Sequence, residues 1–75
     1  MIKIPLRLPR RGAYVKCKDD KGYCKYKDEY IHIYGQLPPF TDRHTWWYGA
    51  YEDDPYNEIA IMADHMHDIH WRIDI

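Results

Sequence analysis

Phenylalanine and valine occur once each in this 75-residue chain, and leucine three times. A core of the usual mixed aliphatic kind is therefore out of reach. No stretch approaches the roughly 20 consecutive apolar residues of a membrane-spanning helix. The four glycines form neither a phosphate-cradling loop nor a dinucleotide fingerprint, and the HExxH and nucleophile-elbow patterns are missing. A chain this short also has little room for a pocket that buries a ligand. These absences set aside the enzyme class, a small-molecule substrate and a membrane partner.

What is present is aromatic. Nine isoleucines are joined by eight tyrosines and three tryptophans. The core must then be partly aromatic, with hydroxyl and indole N–H groups that need hydrogen-bond partners. A 45% hydrophobic content argues against disorder, and a mean hydropathy of -0.78 suits a soluble chain. The length allows one domain, residues 1–75, near the lower limit of what a single core stabilises. Residues 1–14 are broken by prolines and basic residues and lack the apolar centre of a secretory leader. The expected location is cytoplasmic, where Cys17 and Cys24 would be reduced thiols.

The net charge of -1 conceals a split. The basic region 1–27 holds nine Lys/Arg against two Asp, while the acidic half 28–75 holds two Arg against ten Asp/Glu. Such asymmetry marks a polyanion-binding face, an acidic face for a basic partner, or both. The plain alternative is that the halves fold together and mix their charges.

Hydrophobic patterning predicts an α+β domain, with all-β as the alternative. Ile2, Ile4, Leu6 and Leu8 alternate with Lys and Pro, which reads as an edge strand or extended arm. Residues 13–18 and 23–27 alternate on either side of Asp19-Asp20-Lys21-Gly22, a strong hairpin signal. Strands are expected at 30–34 and 45–51. Asp54-Pro55 looks like a helix start, and Ile59, Met62, Ala63 and Met66 then fall on one helical face. The pattern favours a short helix at 55–67, although Ile59 and Ile61 also fit a strand. Ile69, Trp71, Ile73 and Ile75 predict a closing strand with that face buried.

Four constellations are candidates for chemistry or recognition. In the expected hairpin Cys17 lies opposite Cys24, which allows buried thiols, a cross-strand disulfide or half of a zinc site. His65, His67 and His70 form a second group, but neither a helix nor a strand presents all three on one face. Neither set completes a metal site, so no cofactor or metal is expected. Protonation of the five histidines would move the formal charge from -1 to +4, so charge-dependent binding should change between about pH 5 and 7.5.

The third constellation is the basic hairpin. Tyr14, Lys16, Lys18, Tyr23, Lys25 and Lys27 fall on the face opposite the cysteines, with Arg10 and Arg11 at its base. Aromatics among Lys and Arg suit phosphate contact with base stacking, or an acidic protein surface, or an ordinary solvated face. The fourth is Trp46-Trp47: two adjacent residues cannot share one core, so one is expected exposed, as at an interface. The partner-binding candidates are thus Arg10, Arg11, Lys16, Lys18, Tyr23, Lys25, Lys27, Trp46 and Trp47.

The run Arg7-Leu8-Pro9-Arg10-Arg11-Gly12-Ala13-Tyr14-Val15 resembles the RLPxxGxYV opening of a short domain of phage and prophage genomes. Asp20-Lys21-Gly22-Tyr23 fits its following turn, and Asp68-Ile69-His70-Trp71-Arg72 resembles its closing IxHWxP strand, with Ile73 where that family usually has Pro. The resemblance covers about 20 of the 75 residues and carries no activity with it. It implies a phage source, and by analogy a small protein that binds and redirects a host machine such as RNA polymerase or a CRISPR effector. The leading expectation is therefore a protein-binding regulator of a host nucleic-acid-processing complex, with weak nucleic-acid contact. A nucleic-acid-binding module is the alternative, and a small zinc or redox module the second alternative.

Overall fold

A computed structural model of the chain describes residues 1–18, 24–26, 28–38 and 45–74. The expected turn 19–22, Tyr23 and Lys27 lie outside the described residues. Among the described residues there are six strands: β1 (Ile2–Pro5), β2 (Tyr14–Cys17), β3 (Tyr30–Gln36), β4 (Trp46–Tyr51), β5 (Ile59–Met62) and β6 (Met66–Ile73). They form one sheet in the order β1-β6-β2-β3-β4-β5, with every pairing antiparallel. Strands β2 to β5 make a meander, and β6 returns to lie between β1 and β2.

A three-residue 3-10 turn, Ala63–His65, joins β5 to β6. These two strands are separated by three others in the sheet, so so short a link requires the sheet to curl. The core shows the same curl: Val15 and Cys17 of β2, Ile31 and Ile33 of β3, Trp47 and Tyr51 of β4, Ile61 of β5 and Met66 of β6 form one buried cluster. The result is a partly open barrel whose inner face is filled by isoleucine and ring side chains.

The α+β expectation is corrected to all-β, because the helix expected at 55–67 does not form. Asp54 and Asn57 instead close a tight turn, with Asn57 Nδ2 2.8 Å from both Asp54 carboxylate oxygens and Asn57 N–H 3.2 Å from the Asp54 carbonyl. Ile59 to Met62 then pair along β4. Three of the four residues of the proposed helical stripe still turn inward, since Ala63 and Met66 are buried and Ile59 packs on the core. They do so from a strand, a corner and a second strand.

The expected hairpin is corrected too. Both edges of β2 are occupied, by β3 and β6, and the described residues 24–26 are irregular. Ile31, fully buried, takes the place beside Val15 that the spacing had given to Tyr26, and the fully buried Ile33 lies beside Ala13. Cys17 and Cys24 are nevertheless joined as a disulfide, with Cα atoms 5.8 Å apart, so they are not the reduced thiols expected.

In β6 the expected buried face is only partly realised. Lys16 faces His67 and Tyr14 faces His70, so two steps along β2 match three along β6. This bulge centres on Asp68, whose φ of 51° is left-handed, a conformation Asp tolerates better than most. It places His67 and His70 on the same, outer face. His70 becomes the most buried residue of β6, at 2% exposure, while Ile73 is exposed.

Candidate protein-binding groove

The curl leaves a gap where β5 fails to meet β2 and β6. An apolar groove of about 510 Å³ occupies it. Its walls are the whole of β5, Trp46, Ile31 and Tyr51, with Cys17, Lys25 and His65 on the far side. The disulfide sets that far side, because it ties Cys24 and the adjoining Lys25 to the end of β2. Lys25 Nζ lies 3.6 Å from an Asp54 carboxylate oxygen and 5.2 Å from the Tyr26 ring centre.

Strand alternation separates the two tryptophans. Trp47 turns into the core at 8% exposure, and Trp46 stands at the groove with 46% exposure. An exposed indole beside a concave apolar surface is the composition of a binding anchor.

The opposite, outer face of the sheet is a layer of rings and cations. Arg72 Cζ sits 3.7 Å above the Tyr14 ring centre, and Tyr14 stacks on His32 at 4.5 Å. Lys3, Lys16 and Arg72 all approach Tyr30, at 5.0, 4.8 and 4.9 Å from its centre. Arg72 Nη1 also pairs with Glu52 at 2.5 Å. The rings thus cover one another and are covered by cations, which leaves little bare aromatic surface for a base to stack on.

His70 sits beneath this layer. Arg72 Nε donates to its Nε2 at 3.0 Å, and its Nδ1 lies 2.8 Å from the Asp68 carbonyl. These two contacts fix the orientation of the buried His70 ring.

The other sequence candidates are dispersed. Arg10 lies with its Cζ 4.7 Å over the Trp71 ring, and Arg11 is exposed on the same turn. Lys18 Nζ reaches the Asp64 carbonyl at 3.2 Å. Lys16 is on the outer face, whereas Lys25 is at the groove, so the single basic face expected for the hairpin is not formed by them. The charge halves interleave: Lys3 pairs with Arg72 in register and Lys16 with His67, across strands from opposite ends of the chain. Among the described residues no three His, Cys, Asp or Glu side chains are placed to hold a metal ion. His65 lines the groove while His67 and His70 lie on the outer face.

Sequence reasoning missed Ile59 to Met62 as a recognition element, because a helical reading hid their strand. Comparison with family models, curated proteins and solved structures finds no match. Among the described residues no helix is long and apolar enough to cross a membrane.

Proposed function

We propose that the protein is a small binding domain that holds a partner polypeptide in the groove between β5 and the disulfide-tied loop. The observation that carries this reading is the half-exposed Trp46 beside an apolar groove that no described residue fills. Large aromatic side chains left at such a surface concentrate binding energy. The phage resemblance supports a regulator that inhibits or redirects a host nucleic-acid-processing complex, in the host cytoplasm, by protein contact. The nucleic-acid alternative has less support, since the cations of the outer face are already engaged with tyrosine rings and with Glu52.

The test is affinity capture from bacterial host lysate with the wild-type chain and with Trp46→Ala. A specific co-purifying protein that is lost with Trp46→Ala, at an unchanged circular dichroism spectrum, is the expected result. Equal capture by both would remove the groove as the site.

A further inference from the structure

Among the described residues the sheet ends in β1 and β5, each paired on one side only, and they differ in kind. β1 carries Lys3 and Pro5, which discourage another strand from pairing. β5 reads Ile-Ala-Ile-Met, with neither charge nor proline. Its hydrogen-bonding phase follows from one contact: Ala63 N–H bonds the Thr45 carbonyl, directly opposite in the register. Antiparallel ladders repeat every two residues, so Ile61 and Ile59 also address β4. Ala60 and Met62 therefore point their N–H and C=O groups away from β4, along the edge that forms the groove wall.

Two donors and two acceptors beside an apolar groove match the backbone of an extended chain. Among the described lining residues the titratable side chains are Lys25, His65 and Tyr51, and none is a carboxylate; Asp54, 3.6 Å from Lys25, lies outside the lining. Building on the protein-binding reading above, we infer that β5 captures an extended peptide segment as an added antiparallel strand. Backbone bonds to Ala60 and Met62 fix its register, alternate apolar side chains fill the groove beside Trp46 and Ile61, and an acidic side chain shares the half-exposed Lys25 with Asp54. Four residues of β5 span about 13 Å, so a segment of four to six residues suffices.

Met62 offers a selective test. Its φ of -78° and ψ of 146° already suit proline. Met62→Pro thus removes an edge N–H without taking a bond from the β4 ladder, and Met62→Ala controls for the lost side chain. The probe is a pool of capped octapeptides with Val, Ile or Tyr at alternate positions and all residues between. Binders are identified by Trp46 fluorescence and by hydrogen exchange at the Ala60 and Met62 amides.

The expected result is selection of peptides rich in Asp and Glu, with exchange at those two amides slowed about tenfold or more. Affinity should fall about tenfold with Met62→Pro but much less with Met62→Ala. The best peptide, N-methylated at alternate residues, should lose binding in one phase of methylation and keep it in the other. This peptide series tests strand addition on the wild-type chain even if Met62→Pro fails to fold.

A pool without binders at about millimolar concentration overturns the proposal, as does binding indifferent to N-methylation in both phases. If binding is indifferent to N-methylation yet lost with Trp46→Ala, strand addition fails and the groove reading stands. Protection of Ala60 and Met62 by self-association, without peptide, would assign the edge to a second copy and also overturn the proposal.

Discussion

The Tyr30 hydroxyl donates to Asp68 Oδ2 at 2.5 Å, reaching from β3 over β2 to the bulge of β6. This one bond joins strands that are not neighbours and steadies the left-handed Asp68 that keeps His67 and His70 on one face. It also holds the Asp68 carboxyl below its ordinary range. The Tyr30 hydrogen bond is the main cause; partial burial opposes it, and the charges of His70, Lys3 and Lys16 add to it.

Acid sensitivity follows from that shift. Asp68 has a lower pKa folded than unfolded, so its contribution is fully present above the ordinary carboxylate value of about 3.9. It is lost as pH falls through the lower folded value. The Asp68 side chain is 44% exposed, so solvent screening limits the effect to about 0.5–1 kcal/mol. Tyr30→Phe should move the Asp68 titration, followed by NMR, up toward the ordinary value. It should also flatten the acid limb of the stability curve.

Glu29 should behave in the opposite sense. Its Oε2 is out of contact with solvent, and the Asp53 carboxylate lies close to it. Burial, and then the nearby Asp53, raise its pKa. The charged form is penalised in the fold, so the penalty is present above the folded pKa and fades as pH falls through it. Glu29→Gln should therefore raise the melting temperature at pH 7, with the gain shrinking as the medium is acidified. A gain that is constant with pH would place its origin elsewhere.

The disulfide closes a short loop, with a sequence separation of seven. Loop-closure entropy for that length corresponds to about 2–3 kcal/mol. In a domain near the lower size limit this is a large share of the total stability. Cys17→Ser with Cys24→Ser, or reduction by dithiothreitol, should lower the denaturant midpoint accordingly. Because the loop carries Lys25 to the groove, binding should weaken even where the reduced chain stays folded.

Gly49 allows the closest approach in the sheet. A Cβ there would overlap the backbone carbonyl of His32, the residue before Ile33, which is the partner of Gly49 in the β3–β4 pairing. Backbone cannot yield as a flexible side chain can, so Gly49→Ala should cost about 3 kcal/mol or more, at the upper end of point-mutant effects. Gly35→Ala meets only the Tyr48 ring, which can shift, and should cost less. Urea titration of the two variants ranks them.

The legible parts of the fold were those with strict alternation and β-branched residues. Ile31 and Ile33 read as a strand from their alternation, and residues 45–51 from their richness in β-formers. Residues 59–66 were illegible because Ile59, Met62, Ala63 and Met66 fit a period of 3.6 as well as a strand broken by a corner. The choice rests on an unpaired β4 edge that no local pattern records. The disulfide was among the open readings, but its partner geometry was not visible, since long-range burial of Ile31 and Ile33 displaced residues 24–26 from β2. Of the site, the exposed member of the tryptophan pair was foreshadowed by alternation. The groove itself was not, because it arises from the curl.

Arg10 and Arg11 separate the two accounts of binding. Sequence alone made them anchors at the base of a basic hairpin. In the folded chain neither lines the groove, and Arg10 spends its guanidinium on the Trp71 ring. A cation–π contact at an exposed site contributes about 0.5–1 kcal/mol. Arg10→Glu with Arg11→Glu should therefore lower stability by about that amount. It should leave the dissociation rate of the captured partner within about twofold of wild type, since rim charges act mainly on association. Surface plasmon resonance at two salt concentrations measures both rates. A dissociation rate raised tenfold or more, without loss of fold, would return the interface to the basic turn and away from Trp46.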